Sequence, residues 1–278
     1  MSVILSLLSA LLYGIGDFSG GFASRKSQLI AVVTISQIGG AALALVFALV
    51  DGSRFPGLGD VVWAALAGLC GLLGILLLYR GIARGMVAIV SPLSALISAL
   101  IPAIAGLALG ERPSVFALIG GFLCLPAIFL LTWDHGSSKD RARRLDSLLH
   151  GLAAGVGFGF FFIALSRTGH ASGIWPAFIA RATSLALLLL VTLATGRSLR
   201  LAPESRPTAV IAGLADMGAN ILFLLASRIG LLSITSVVSS LFPAPTVVLA
   251  RVFMKERIPP ARAAGLGLAL AGVALIGM

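Results

Sequence analysis

Residues 133–146 read "WDHGSSKDRARRLD", and they form the longest polar stretch of the chain. On both sides of this stretch, long apolar runs are separated by short polar gaps. Of the 278 residues, 59% are hydrophobic and only 11% are charged, whereas a soluble domain usually carries about 25% charged residues. The mean hydropathy of +1.09 agrees with this contrast. Because so little polar surface could not cover the apolar runs in water, the composition predicts an all-α membrane protein.

A membrane-spanning helix needs about 20 consecutive, mostly apolar residues. Measured with that length, the sequence predicts ten spans, and the polar stretch falls between the fifth and the sixth. The expected organisation is a first unit of five helices in residues 1–132, a linker in 133–147 and a second unit of five helices in 148–278. The ten predicted spans are 2–22, 30–50, 61–79, 86–109, 115–132, 148–166, 173–195, 208–228, 232–254 and 261–278.

The two halves resemble each other in sequence. "LLSALLYGIG" (7–16) aligns with "LLHGLAAGVG" (148–157), and "GERPSVFALIG" (110–120) aligns with "KERIPPARAAG" (255–265). Because each half has an odd number of predicted spans, the second half would enter the membrane from the opposite side. Inverted repeats of this kind recur in transporters, with the binding site near the midplane between the repeats. The sequence therefore predicts ten transmembrane helices arranged as two inverted five-helix repeats.

The same residues carry a family resemblance. The fourth span of each half ends in a similar motif, "LGER" (109–112) and "MKER" (254–257), and a glycine-rich span follows. With "SSLFPAPTVVLARVFMKER" (239–257), the chain resembles the EamA-type transporters of the drug/metabolite transporter superfamily. The first half departs from this pattern, because Ser98 stands where the second half has Pro243. The resemblance implies a ten-helix permease that exports small metabolites such as amino acids, in a bacterial plasma (inner) membrane.

The distribution of the net charge of +10 predicts the orientation of the chain. Cytoplasmic loops of membrane proteins are enriched in lysine and arginine. If the spans alternate, 14 of the 20 basic residues lie on the side of the linker and 4 lie on the side of the termini. This bias predicts a cytoplasmic linker and external termini, whereas the family resemblance implies cytoplasmic termini.

Few polar side chains interrupt the spans, since an ionised group near the bilayer centre costs at least ~2.5–3.5 kcal/mol. In "LADMGANILFLL" (214–225), Asp216 and Asn220 are one helical turn apart and share a face. A helix rises by about 1.5 Å per residue. On that scale Arg181 in span 7 reaches the depth of Asn220, and Asp17 in span 1 reaches the depth of Asp216. We therefore expect these side chains to converge on one central cavity.

We expect Arg181 and Asp216 to form a charge-assisted pair, with Asn220 supplying a neutral hydrogen bond. A fixed cation could hold a carboxylate or phosphate group of the cargo, and a buried acid could carry a coupling proton. The alternative role is structural: a buried Arg–Asp pair can lock two helices together, and an asparagine can join helices by a bond worth about 0.6 kcal/mol. Both roles remain open from the sequence.

Two further polar residues complete the candidate set. Alignment of "TISQIGGAALAL" (34–45) with "FIARATSLALLL" (178–189) places Gln37 and Arg181 at equivalent positions of the two halves. Tyr13 lies one turn before the acid of span 1 and could offer a ring or a hydroxyl group to a ligand. The candidates for substrate binding or coupling are Arg181, Asp216, Asn220, Asp17, Gln37 and Tyr13.

Other features bear on mechanism or exclude chemistry. Pro243 and Pro245 are candidates for a helix break, because each removes a backbone donor. No metal or cofactor is expected: the three histidines lie at span ends without ligand spacing, and Cys70 and Cys124 form no CxxC pattern. The weaker alternatives to a transporter are a non-transporting scaffold or receptor, and an intramembrane enzyme. The expected partners are a small-molecule metabolite and the lipid bilayer, without nucleic acid, and association into a homo-oligomer is left open.

Overall fold

All regular secondary structure in the described part of the chain is helical. The structure is a computed structural model that describes residues 1–24, 27–83, 87–132, 141–196, 199–254 and 260–276. Its α-helices are α1 Ser2–Ser24, α2 Leu29–Val50, α3 Leu58–Ala83, α4 Val87–Ala108, α5 Val115–Thr132, α6 Arg141–Ser166, α7 Trp175–Thr195, α8 Arg206–Ile229, α9 Leu232–Ser239, α10 Pro243–Met254 and α11 Pro260–Ile276.

Six of these helices contain a segment that is long and apolar enough to cross a bilayer, namely α1, α2, α3, α6, α7 and α8. Shorter apolar segments lie in α4, α5 and α11, at Leu93–Ala108, Val115–Leu130 and Ala263–Ile276. The chain is thus a helical membrane protein. Most helices begin and end within two residues of a predicted span, because the apolar run sets the length of the helix.

The helix that corresponds to predicted span 6 begins earlier than expected, at Arg141 rather than at residue 148. Arginine, alanine and leucine are good helix formers, so the helix continues through the charged end of the polar stretch. At the end of this extension, Asp146 Oδ1 lies 3.3 Å from Nδ1 of His150, one turn further along the helix. Apolarity marks the membrane-embedded part of a helix and not its end, which explains the difference.

Predicted span 9 consists of two helices, α9 and α10, which are separated by residues 240–242. Pro243 and Pro245 have no backbone N–H group, so they cannot donate the hydrogen bonds that would continue α9. The Ala244 N–H group instead donates to the Leu241 carbonyl at 2.9 Å, which makes a tighter turn. The α-helical hydrogen-bond pattern is therefore interrupted between α9 and α10.

Helices of the two sequence halves pack directly against each other. α1 lies on α8, α3 lies on α6 and α7, α2 lies on α7 and α8, and α5 lies on α11. Glycines permit the closest approaches: a Cβ atom at Gly213 of α8 would clash with the backbone of Ser36 in α2. In the same way, a Cβ atom at Gly68 of α3 would clash with the backbone of Ala180 in α7.

Hydrogen bonds join the segment that follows α4 to the start of α9. Gly110 follows α4 with a φ of 92°, a backbone region that glycine adopts without strain. The Glu111 carboxylate then accepts the N–H groups of Leu232 and Ser233 at 2.6 and 2.8 Å. Because these N–H groups have no partner inside the helix, Glu111 caps the first turn of α9.

Candidate functional site

A cavity lies between the helices of the two halves. The space between the atoms here is about 780 Å³, including the space open at the mouth of the cavity. α1, α2, α3 and α4 line it from the first half, and α6, α7, α8 and the α9–α10 break line it from the second. All six candidate binding or coupling residues lie in its wall: Arg181, Asp216, Asn220, Asp17, Gln37 and Tyr13.

Five of these candidates form one continuous chain of hydrogen bonds. The Arg181 guanidinium donates from Nη1 to Gln37 Oε1 at 2.5 Å and from Nη2 to the Asp216 carboxylate. The Asn220 amide donates to Asp216 Oδ2 at 3.3 Å and accepts from the Tyr13 hydroxyl group at 2.5 Å. We call this set the polar chain, and it connects α2, α7, α8 and α1.

Burial makes the pairing in the polar chain necessary. The exposed fraction of the side chain is 6% for Arg181 and 25% for Asp216, and Gln37 is 2% exposed. A charge that is removed from water is tolerated when it is paired and fully hydrogen-bonded. The two acceptors of Arg181 supply this compensation inside an apolar bundle.

Close helix contacts hold the guanidinium in place. Ser36 and Ala180, whose backbones meet the two glycines described above, directly precede Gln37 and Arg181. The closest points of the α2–α8 and α3–α7 crossings therefore lie beside the two residues that bond to each other. A Cβ atom at Gly40 would lie 3.2 Å from Arg181 Nε, so this glycine leaves room for the guanidinium.

Asp17 lines the cavity without joining the polar chain. It lies one turn after Tyr13 on α1, and no group in the described part of the chain donates a hydrogen bond to its carboxylate. Asp216 and Tyr79 are near enough to interact with it electrostatically. Among the described residues of the cavity wall, Arg181 and Asp216 pair with each other, so the Asp17 carboxyl group has no basic partner there.

Aromatic rings form much of the apolar wall. Phe158, Phe161 and Phe162 come from α6, and Phe242 comes from the α9–α10 break. The Tyr13 ring lies between two of them, with its centroid 6.1 Å from that of Phe162 and 6.3 Å from that of Phe242. The interplanar angles of 64° and 66° are those of edge-on contacts. These contacts orient the Tyr13 hydroxyl group toward Asn220.

The prolines of the helix break pack behind this wall. Pro245 lies on Gly14 of α1, where a Cβ atom would clash with the proline ring and with the Phe242 carbonyl. Thr246 donates a hydrogen bond to the Gly14 carbonyl at 3.3 Å. Pro243 and Pro245 are not among the described lining residues, and the break contributes to the cavity by placing Phe242 in its wall.

Two lining serines were missed by the sequence analysis as site residues. Ser98 of α4 and Ser184 of α7 each donate to a carbonyl of their own helix, at 2.9 and 2.8 Å. A hydroxyl group that is satisfied in this way costs little in an apolar helix, so neither serine differs in the sequence from the many serines elsewhere. Ser98 also lies 3.4 Å from Ser240 of the helix break.

Other missed residues are aromatic. Tyr79 of α3 is 5% exposed, and its hydroxyl group lies beside Gly20 of α1. The cavity-lining phenylalanines of α6 carried a detectable signal, because their i, i+3, i+4 spacing places them on one helix face. Phe160, which departs from this spacing, is 50% exposed.

The fold and the site are those of a helical membrane protein in which both halves of the sequence line one cavity that contains a buried polar chain, an arrangement that is common among carriers of small molecules. The sequence profile of the EamA-like transporter family matches residues 1–133 and 145–278. The chain belongs to the EamA-like transporter family. Since the members of this family are transporters, membership indicates transport rather than catalysis.

A solved crystal structure shares this fold. It superposes with a TM-score of 0.79 over 100% of this chain and 98% of that chain, with 16% sequence identity. At this identity the similarity concerns the fold alone. A comparison with curated proteins finds no match.

Proposed function

We propose that the protein is a secondary transporter that exports small metabolites, amino acids among them, through the cavity between two inverted five-helix repeats in a bacterial inner membrane. The observation that carries this proposal is the polar chain, which places a buried Arg–Asp pair in the wall of a cavity between the two halves. Ionisable groups inside membrane helices are costly and tend to mark a pathway. A pair that served only to lock α7 to α8 would not need to face a cavity.

Matched glycines support the inverted repeat. The sequence alignment pairs Gly16 with Gly157, and these residues pack closely on α8 and on α3. It also pairs Gly14 with Gly155, and these residues pack on α10 and on α4. In the order of spans, α8 of the second half is equivalent to α3 of the first half, and α10 is equivalent to α4. The contacts on one side thus have counterparts on the other, with α9 and α10 together acting as one span of a ten-span bundle.

The centre of the polar chain shows the same correspondence between the two halves of the sequence. Gln37 and Arg181, which the alignment places at equivalent positions, bond to each other at 2.5 Å. The residues before them, Ser36 and Ala180, each meet a glycine, one of α8 and one of α3. In an inverted-repeat carrier the binding site is expected near the axis that relates the repeats. The position of the polar chain agrees with that expectation.

Proton exchange is a candidate driving force. Asp17 lines the cavity, and no donor in the described residues bonds to its carboxylate, so a proton can be gained or lost there without breaking the polar chain. Acids in such positions serve as proton carriers in many membrane transporters. The direction of transport, from the cytoplasm outward, rests on the family.

Counterflow in proteoliposomes tests the proposal. Vesicles that contain the purified protein are loaded with one unlabelled metabolite at a time, and uptake of the same compound in labelled form is followed against protein-free vesicles. We expect saturable exchange of at least one small metabolite, with amino acids and amines as the first compounds of the panel. Inertness toward the whole panel would contradict transport and favour a scaffold or receptor.

A further inference from the structure

We infer that the cavity selects a cationic amine on an aromatic body, and that Asp17 holds the ammonium group. This inference rests on the proposed transport function and narrows it to a substrate class. It differs from the expectation, drawn from the sequence, that Arg181 would hold an anionic group of the cargo.

The charge of Arg181 is already paired within the protein. Its guanidinium donates to Gln37 and to the Asp216 carboxylate, and its side chain is 6% exposed. Gly40 lies against the guanidinium from the side of α2. An anionic ligand at Arg181 would either bind beside Asp216 as a second anion, or displace Asp216 and so leave a buried carboxylate without its partner. Such a loss is strongly unfavourable in an apolar interior.

Among the described residues of the cavity wall, the ionisable group that is left without a partner is an acid, Asp17. Arg181 and Asp216 neutralise each other, and Asp17 has no hydrogen-bond donor among the described residues. The groups that face Asp17 do not compensate it, because Asp216 is an acid and Tyr79 is a neutral phenol. A carboxylate in this position is therefore a site for a cation, whose charge would replace the missing partner.

The wall of the same cavity is rich in aromatic side chains. Tyr13 and Asp17 lie one turn apart on α1, so the acid and the ring are separated by about 6 Å along the helix axis. Four phenylalanines complete the apolar lining, three from α6 and one from the helix break. Aromatic faces attract a cation within about 6 Å of the ring, and they also stack on an aromatic ligand. The wall thus fits an ammonium group joined to a flat apolar ring system.

Three compounds with the same indole ring test this inference: tryptamine, which is a cation, tryptophol, which is neutral, and indole-3-propionate, which is an anion. Binding to the purified full-length protein is measured by isothermal titration, and exchange is measured in proteoliposomes. We expect tryptamine to bind at least tenfold more tightly than tryptophol and to exchange saturably, with no binding of indole-3-propionate in the same range. Asp17→Asn should weaken tryptamine binding about tenfold or more, with little change for tryptophol.

A matched control is Glu204→Gln, which neutralises an exposed acid outside the cavity wall. This variant should bind all three indoles as the wild type does. If Asp17→Asn weakens tryptamine and tryptophol equally, Asp17 has a structural role and the inference is wrong.

The remaining outcomes separate this inference from the proposed function. Preferential binding or exchange of indole-3-propionate would overturn the amine class and leave transport standing. Binding of none of the three indoles, together with exchange of another metabolite from the counterflow panel, would do the same. Inertness in both experiments would overturn the inference and the proposed function together.

Discussion

Arg181 is the residue on which the polar chain depends, because its guanidinium bonds to α2 and to α8 at once. Removing this side chain would leave the Asp216 carboxylate buried without its counter-charge. The loss of one member of a buried ion pair typically costs about 3–5 kcal/mol. Removing one partner alone therefore destabilises the bundle whether or not the pair serves transport, and the two roles must be separated by experiment.

The Tyr13 hydroxyl group allows a milder test at the residue scale. Tyr13→Phe keeps the ring contacts with Phe162 and Phe242 and removes the hydrogen bond to Asn220. We expect nearly unchanged thermal stability and up to about tenfold weaker substrate binding, because a net hydrogen bond is worth about 0.5–1.5 kcal/mol. Calorimetric titration with a compound from the counterflow panel measures the change.

Thr195→Val is the control for that substitution, because it removes a hydroxyl hydrogen bond, to the Val191 carbonyl at 2.7 Å, at an exposed position outside the cavity wall. It should bind substrate as the wild type does. Unaltered binding by Tyr13→Phe, or an equal loss in both variants, would show that the end of the polar chain does not contact or orient the ligand.

At this scale the sequence identified the charged residues, the two amides and Tyr13, but it missed Ser98, Ser184 and Tyr79. Asp17, Arg181 and Asp216 could be singled out because a charge in an apolar span is costly and needs a reason. Ser98 and Tyr79 could not, because a hydroxyl group can be satisfied locally or tolerated and so leaves no unusual pattern. That Arg181 is paired with Asp216, while no described residue donates a hydrogen bond to Asp17, depends on side-chain geometry that no spacing argument provides.

At the scale of helices, the close crossings of α2 with α8 and of α3 with α7 position the polar chain. Each crossing depends on a glycine that lies against a backbone carbonyl of the neighbouring helix. Without hydrophobic forces between helices in lipid, such close packing is a main source of association. Glycine is therefore required at these two points for a steric reason.

Gly213→Ala tests this requirement. The added Cβ atom would clash with the Ser36 backbone, so α2 and α8 would have to separate and Gln37 would move away from Arg181. We expect a loss of stability of about 1–3 kcal/mol, as is usual for overpacking, seen as a lower Tm in detergent. Gly21→Ala is the matched control, because a Cβ atom there would meet no neighbouring atom within 4 Å. Equal melting temperatures for both variants would contradict the close crossing.

The helices themselves show where sequence patterns succeed and where they stop. The break before Pro243 could be anticipated, because prolines remove backbone donors in any environment. The start of α6 at Arg141 could not be anticipated from hydropathy, since a helix continues past the point where its side chains become charged. The capping of α9 by Glu111 joins distant parts of the chain, and an isolated glutamate in the sequence gives no indication of it.

The whole molecule is organised by two halves whose contacts correspond across the cavity. The excess of basic residues on one side of the proposed bundle predicts its orientation in the membrane. Five spans in each half would place the linker and the C-terminus on opposite sides. These two statements, one about charge and one about span number, can be tested together.

Topology reporters at two positions test the predicted orientation and the number of spans in each half. With a topology reporter inserted in residues 133–147 and another joined to Met278, we expect cytoplasmic activity for the first and external activity for the second. Reversed activities would contradict the orientation drawn from the charge bias and agree with the orientation implied by the family. Activity of both reporters on the same side would contradict halves of five spans.

The central claim is that the polar chain belongs to the transport site and does more than join helices. The most direct measurement compares counterflow by the wild type, Arg181→Gln, Asp216→Asn and the double variant, each with its Tm. Removing both charges leaves no unpaired buried ion, so the double variant should melt closer to the wild type than either single variant does. We predict that it nevertheless exchanges substrate at least about tenfold more slowly than the wild type. A double variant that is stable and exchanges at the wild-type rate would show that the pair only locks α7 to α8, and would contradict the account.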